Sequence, residues 1–186
     1  MVINLGSCAN ITLSTCDNTH LWYDSIFMLE QAMECEKLND NWHAGTYTRA
    51  SIILTVAAFE SSCAWIFTVT NENGEAEPNR DFSNGVGLLE GIKREIEKLN
   101  TNKNQPCTVN INLESTYWKR VQKELYKRNG YAHGKANQVN LFPEHRVAAK
   151  TGTILLEALR KIYDIIERPL DEWIDECLNK FKSLRE

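Results

Sequence analysis

The run 52–69, IILTVAAFESSCAWIFTV, constrains the fold more than any other part of this 186-residue chain. Apolar residues cover nearly every side of it, so a helix here has no solvent face and belongs at the centre of other helices. Glu60 and two serines near its middle argue for a buried core helix and against a membrane span. The predicted helix covers 46–70.

The helical period continues on both sides of this run. Over 19–43, Leu21, Trp22, Ile26, Leu29, Met33 and Leu38 recur at helical steps, with Asn18 or Thr19 as N-cap. Over 86–99, Leu88, Leu89, Ile92, Ile96 and Leu99 mark a core-facing stripe. A fourth helix starts near Glu114 or Ser115 and ends near Lys127 or Arg128. A fifth, over 144–167, presents Val147, Thr151, Ile154, Leu155, Ala158, Leu159, Ile162 and Ile166 on one face. Pro143 suits its first turn and Pro169 ends it. A short helix follows at 170–183, with Trp173 and Ile174 turned inward from the acidic DEWIDE stretch. Trp22, Trp42, Trp65 and Trp118 fall in helical stretches and read as core.

Turn-forming residues fill 71–85, and further loops lie at 100–112 and 136–142. Residues 1–18 are rich in Ser, Thr and Asn, lack a helical period and read as an irregular arm. No strand pair or internal repeat is expected. Nine Gly and four Pro are too few for a turn-rich β-sandwich. The fold class is therefore all-α: one domain over 19–186, a bundle of four or five main helices plus a short C-terminal helix.

The N-terminus has neither a basic region nor a continuous apolar one, so it is not read as a signal peptide, and a cytoplasmic location is expected. The six cysteines form no C-x-x-C pair and do not alternate with His20, His43, His133 or His145 at metal-ligand spacing. Free thiols are expected, with no metal and no cofactor. His20, His43 and His145 have no partners at informative spacing and read as structural or surface residues.

Net charge is −4, which gives no global attraction to nucleic acid. Locally the balance reverses. Between 119 and 135 stand Lys119, Arg120, Lys123, Lys127, Arg128 and Lys135, opposed only by Glu124. On a helix, Lys119, Lys123 and Lys127 fall within roughly 80° of one another, a stripe suited either to a phosphate backbone or simply to solvent. Directly after it comes RNGYAHG, 128–134. Arg128 and His133 would lie roughly 140° apart on an unbroken helix. Gly130 is a helix terminator when it follows a last turn. A break there lets His133 fold back towards Arg128; pairing with a second subunit instead brings two motifs around one cleft.

Such a pair suits metal-independent cleavage of RNA. Histidine exchanges protons near neutrality, and arginine holds a phosphate as negative charge builds on it. The ribose 2′-OH is the internal nucleophile. Asn129 is placed to orient phosphate or ribose. Tyr131 is a stacking candidate, although packing is the commoner role for an aromatic there. Glu60, a carboxylate in the most apolar helix, requires a partner. Arg128 is one; a polar edge, Arg49 or a lysine are the others.

With these residues the chain resembles the HEPN superfamily (higher eukaryotes and prokaryotes nucleotide-binding domains). Its hallmark is an Arg followed by a polar residue and, four to six residues on, a His. The helix RASIILTVAAFESSCAWIF, 49–67, is similar to the second helix of many prokaryotic members, an apolar run carrying an acidic residue. The resemblance implies a dimerising α-helical bundle with two Arg/His motifs at a shared cleft. Active members are metal-independent endoribonucleases, often toxins or anti-phage defence effectors, and some are held by an antitoxin or other regulatory protein. It also implies Arg128 as the phosphate ligand and His133 as the acid/base, with Asn129 and Glu60 in support. Members paired with a nucleotidyltransferase antitoxin often carry Tyr two positions after the His. Lys135 stands there, so that pairing is not expected. The expectation is a homodimeric endoribonuclease with RNA contacts from Lys119, Lys123, Lys127, Tyr131 and Lys135. The alternative is a catalytically silent HEPN-like module that binds nucleotide, RNA or protein.

Overall fold

The central apolar run does form one long helix. In a computed structural model that describes residues 2–4, 10–12, 18–83, 87–102, 111–132, 140 and 142–185, α2 spans Asn41–Ile66 and is buried around most of its circumference. Before it comes α1, Asn18–Lys37; after it come α3, Leu88–Asn102, α4, Thr116–Ala132, α5, His145–Ile165, and α6, Glu172–Ser183. α2 packs on α1, α4 and α5, while α6 packs on α5 and returns to α1. The fold is all-α in one domain, as its periodicity predicts. Among the described residues α2 is the one helix long and apolar enough to cross a membrane, and 67% of its apolar stretch is buried inside the fold.

Polar groups in this core are paired across helices. The Ser51 hydroxyl donates to the Ser25 carbonyl at 2.8 Å, and the Trp22 indole donates to the Ser62 Oγ at 3.1 Å, so α1 is fixed on α2 by directional bonds as well as by burial. Trp22, Phe59 and Phe181 are the largest fully buried side chains.

Several expectations need correction. The first two helices meet earlier than the periodicity suggests. Asn39 takes the left-handed conformation with φ of 58°, and Asp40 caps α2 by accepting the His43 N–H at 3.2 Å. Leu38 is consequently 77% exposed rather than part of a core face. Trp42, at 64%, and Trp65, at 36%, are also exposed, whereas Trp22 and Trp118 are core. On α3, Leu89, Ile92 and Ile96 are buried but Leu99 is exposed.

Strand pairs, though short, do occur. β1 (Val2–Asn4) pairs antiparallel with β2 (Asn10–Thr12) inside the arm, and β3 (Val69–Thr70) pairs with β4 (Ala76–Glu77). The Asn71 side chain accepts the N–H groups of Asn73 and Glu75 in the second turn, and Gly74 supplies a φ of 83° there.

Two histidines also have partners that spacing did not reveal. His43 Nδ1 lies 2.6 Å from Asp40 Oδ2. His145 begins α5, and the Glu36 carboxylate of α1 accepts its backbone N–H at 2.8 Å while meeting its Nδ1 at 2.5 Å. α5 is thus capped by a side chain from another helix; Glu144, in the N-cap position, provides no side-chain bond.

Candidate functional site

The site is built where α4 crosses the core helix. Glu60 sits past the middle of α2, on the side α4 covers, and its Oε2 accepts from Arg128 Nη1. Each side chain keeps 34% of its surface, so the pair lies at the edge of the core and the guanidinium can still be reached from outside. Burial pushes the Glu60 carboxyl above its usual range, against the opposing pull of the Arg128 charge and hydrogen bond. Of the partners open to Glu60, the structure selects Arg128.

The residue beside it goes elsewhere. Lys127 donates to Oε2 of Glu124, which is buried, and its Nζ lies 3.3 Å from Thr151 Oγ1 on α5. Thr151 Oγ1 stands 2.7 Å from the same carboxylate oxygen and 2.9 Å from the Val147 carbonyl, with one proton to share between them. The expected cationic stripe therefore does not stand free. Lys119 pairs with Glu114 at 2.7 Å, Lys127 is turned inward, and Lys123 remains exposed. Sequence reasoning counted Glu124 only as an isolated negative charge, although its i,i+3 spacing to Lys127 was the available signal.

Gly130 does not end the helix. It is buried inside α4, which continues to Ala132. The helix break expected at Gly130 does not occur. His133 and Lys135 lie outside the described residues. Tyr131 is half-buried against the core, where burial raises its phenol; packing prevails over display at this position.

Arg128 also lines a cleft of about 390 Å³ between α3 and α4, together with Asn129, Gln122, Tyr126, Leu88 and Glu90. Asn129 is exposed there. The structure thus brings Arg128, Asn129 and Glu60 into one locality, beside two residues, Gln122 and Tyr126, that the motif did not single out. Their signal was faint: an exposed aromatic and an amide one turn apart on the basic helix.

A larger cleft, about 560 Å³, lies between α1 and α6 and is lined by Tyr23, Phe27, Glu30, Glu176 and Lys180. Its charges already satisfy one another. Lys180 is 2.7 Å from Glu30, and the Tyr23 hydroxyl donates to Glu176 at 2.9 Å. Cys35, Cys63 and Cys177 are free thiols, and burial raises all three, Cys177 to about 12, so they stay protonated at neutral pH.

No family model, curated protein or solved structure matches this chain.

Proposed function

We propose that this chain is a cytoplasmic, homodimeric HEPN-type endoribonuclease, a toxin or defence effector, that cleaves RNA without a metal. The observation that carries the proposal is the Glu60–Arg128 pair: the carboxylate of the central helix holds a reachable guanidinium at the mouth of a cleft. A guanidinium fixed from behind on one nitrogen retains donors for a phosphate, and its orientation is set before substrate arrives. In this mechanism Arg128 holds a non-bridging phosphate oxygen and Asn129 orients it. A histidine, His133, takes the 2′-OH proton as the 2′-oxygen bonds to phosphorus. The bond from phosphorus to the 5′-oxygen breaks, and that oxygen leaves with the proton that the imidazole has taken up. The products are a 2′,3′-cyclic phosphate and a 5′-OH end. The second reading is a silent binding module; the engagement of Arg128 with Glu60 favours it, since a guanidinium committed to a carboxylate is also a structural element.

The test is incubation of purified protein with mixed RNA in EDTA, alongside Arg128→Ala and His133→Ala. Cleavage with cyclic phosphate ends is expected, falling about a hundredfold or more in each variant. Absence of cleavage by folded wild type, or cleavage unchanged in both variants, overturns the proposal.

A further inference from the structure

We propose that the cleft between α3 and α4 is a base pocket, which receives one unpaired nucleobase whose phosphate is held by Arg128. It rests on the ribonuclease reading only in its choice of a phosphate-bearing ligand.

The cleft's chemistry is divided as a nucleotide's is. Leu88 and Leu89 of α3 and Leu125 of α4 supply apolar surface. Tyr126 lines the cleft with 63% of its surface exposed, so its ring is open to contact from outside. Apolar surface and an exposed ring match the two faces of a base, which stack without regard to sequence. The edge of a base needs donors and acceptors, and these are present. Gln122 carries both kinds, one turn back from Tyr126, with its Nε2 3.5 Å from the phenol oxygen. Glu90 offers an acceptor whose charge is partly met by Lys93 at 3.7 Å.

Charge then fixes the polarity of the ligand. Arg128 and Asn129 line the same cleft and follow Tyr126 by two and three residues along α4, so a base seated beside Tyr126 carries its sugar and phosphate towards them. A volume near 390 Å³ is at the small end of the roughly 300–1,000 Å³ typical of ligand pockets, which suits one nucleotide-scale group. A base still paired in a duplex cannot present its edge to Gln122 and both faces to the leucines and tyrosine. The ligand is therefore a single-stranded residue or a free nucleotide. Tyr126 and Gln122 are positioning and specificity residues in this scheme, because they hold the base while Arg128 holds the reacting phosphate.

The experiment uses the full chain and a fluorescein-labelled 2′-O-methyl RNA tetranucleotide, which lacks the nucleophile and is not cleaved, with the four nucleoside 5′-monophosphates as competitors. Tyr126→Ala and Gln122→Ala are compared with wild type. Leu88→Trp, which fills the cleft without altering its charge, is a third variant. Tyr23→Ala, which removes an exposed tyrosine from the other cleft, is the control. Binding by anisotropy is expected to weaken about tenfold in Tyr126→Ala, the scale of one stacked base, and further in Leu88→Trp, with Tyr23→Ala unchanged. A tetranucleotide that outbinds every monophosphate assigns the pocket to a strand; equal affinity assigns it to a free nucleotide; both support a base pocket. No binding of either probe, or binding unaffected by Tyr126→Ala and Leu88→Trp, overturns it. The two proposals separate cleanly. Binding lost in the pocket variants while wild type never cleaves RNA leaves the pocket without the nuclease. Cleavage abolished only by Arg128→Ala and His133→Ala leaves the nuclease without the pocket.

Discussion

Replacing Lys127 by methionine distinguishes an ammonium that serves the fold from one that serves RNA. Methionine keeps the stem and its packing and removes only the charge. What remains is Glu124, 3% exposed, with the Thr151 hydroxyl as its one other hydrogen-bond donor in the network. Breaking a fully buried ion pair from one side costs about 3–5 kcal/mol, because a charge is left without its partner. Here the Lys127 side chain keeps a fifth of its surface and Thr151 still donates, so water and the hydroxyl recover part of that. The expected loss is about 2–3 kcal/mol, read as a shift in the urea midpoint at constant slope. In a chain of 186 residues it corresponds to a fall in Tm of about 5–10 °C. Adding Glu124→Gln to Lys127→Met removes both charges, and the double variant should recover most of the loss, since neutral replacement of a buried pair is often tolerated. Lys123→Ala, one turn earlier on the exposed side, should stay within about 0.5 kcal/mol of wild type. A Lys127→Met variant as stable as Lys123→Ala, or a double variant less stable than the single, refutes the reasoning and returns Lys127 to a solvated stripe.

Two further outcomes follow from the packing and from Glu60. Gly152 of α5 faces the Phe181 ring, and a Cβ added there would overlap ring carbons that are themselves fully buried and edge-on to Trp22. Gly152→Ala gains about 1 kcal/mol of helix propensity and loses more to overpacking, for a net loss of about 1–2 kcal/mol by urea unfolding; a stabilised variant contradicts the packing. The Glu60 carboxyl, raised chiefly by burial, holds its proton more tightly folded than unfolded. Its contribution therefore favours the fold below the ordinary carboxylate range and is lost as pH rises through the raised value. Glu60→Gln should flatten that limb of the stability curve, and Arg128→Ala, which removes the opposing charge, should steepen it; urea midpoints between about pH 4 and 7 decide both.

The bundle was legible because a helix that must be buried all round leaves few architectures open, and because the stripes on α3 and α5 repeat at the helical period. Its errors lie where local backbone chemistry overrides that period. Leu38 fits the stripe of α1, but Asn39 and Asp40 stop the helix by a left-handed residue and a cap, and the leucine is left in solvent. Gly130 is a terminator by residue type, yet within α4 a buried glycine costs only about 1 kcal/mol of propensity, which tertiary packing outweighs. The Glu36–His145 clamp joins residues 109 apart, and no spacing rule reaches that far.

The candidate site shows why charge density along a sequence is not charge density on a surface. Glu60 was informative because a carboxylate in an apolar helix demands a counterion, and Arg128 met that demand. The lysines were misleading because consecutive helical positions differ by roughly 100°, and α4 touches two neighbours at once. Arg128 turns towards α2 and Glu60; Lys127, one residue earlier, turns towards α5 and Thr151. Two adjacent cations thereby enter two different networks, and the basic run is partitioned between core and surface. The positive character available to an anion at the cleft rests on the exposed part of one guanidinium, Arg128, rather than on a stripe of three lysines. A ligand must then be held by something besides charge, and the exposed Tyr126 and Gln122, two and six residues before Arg128 on α4, are the groups in position to hold it.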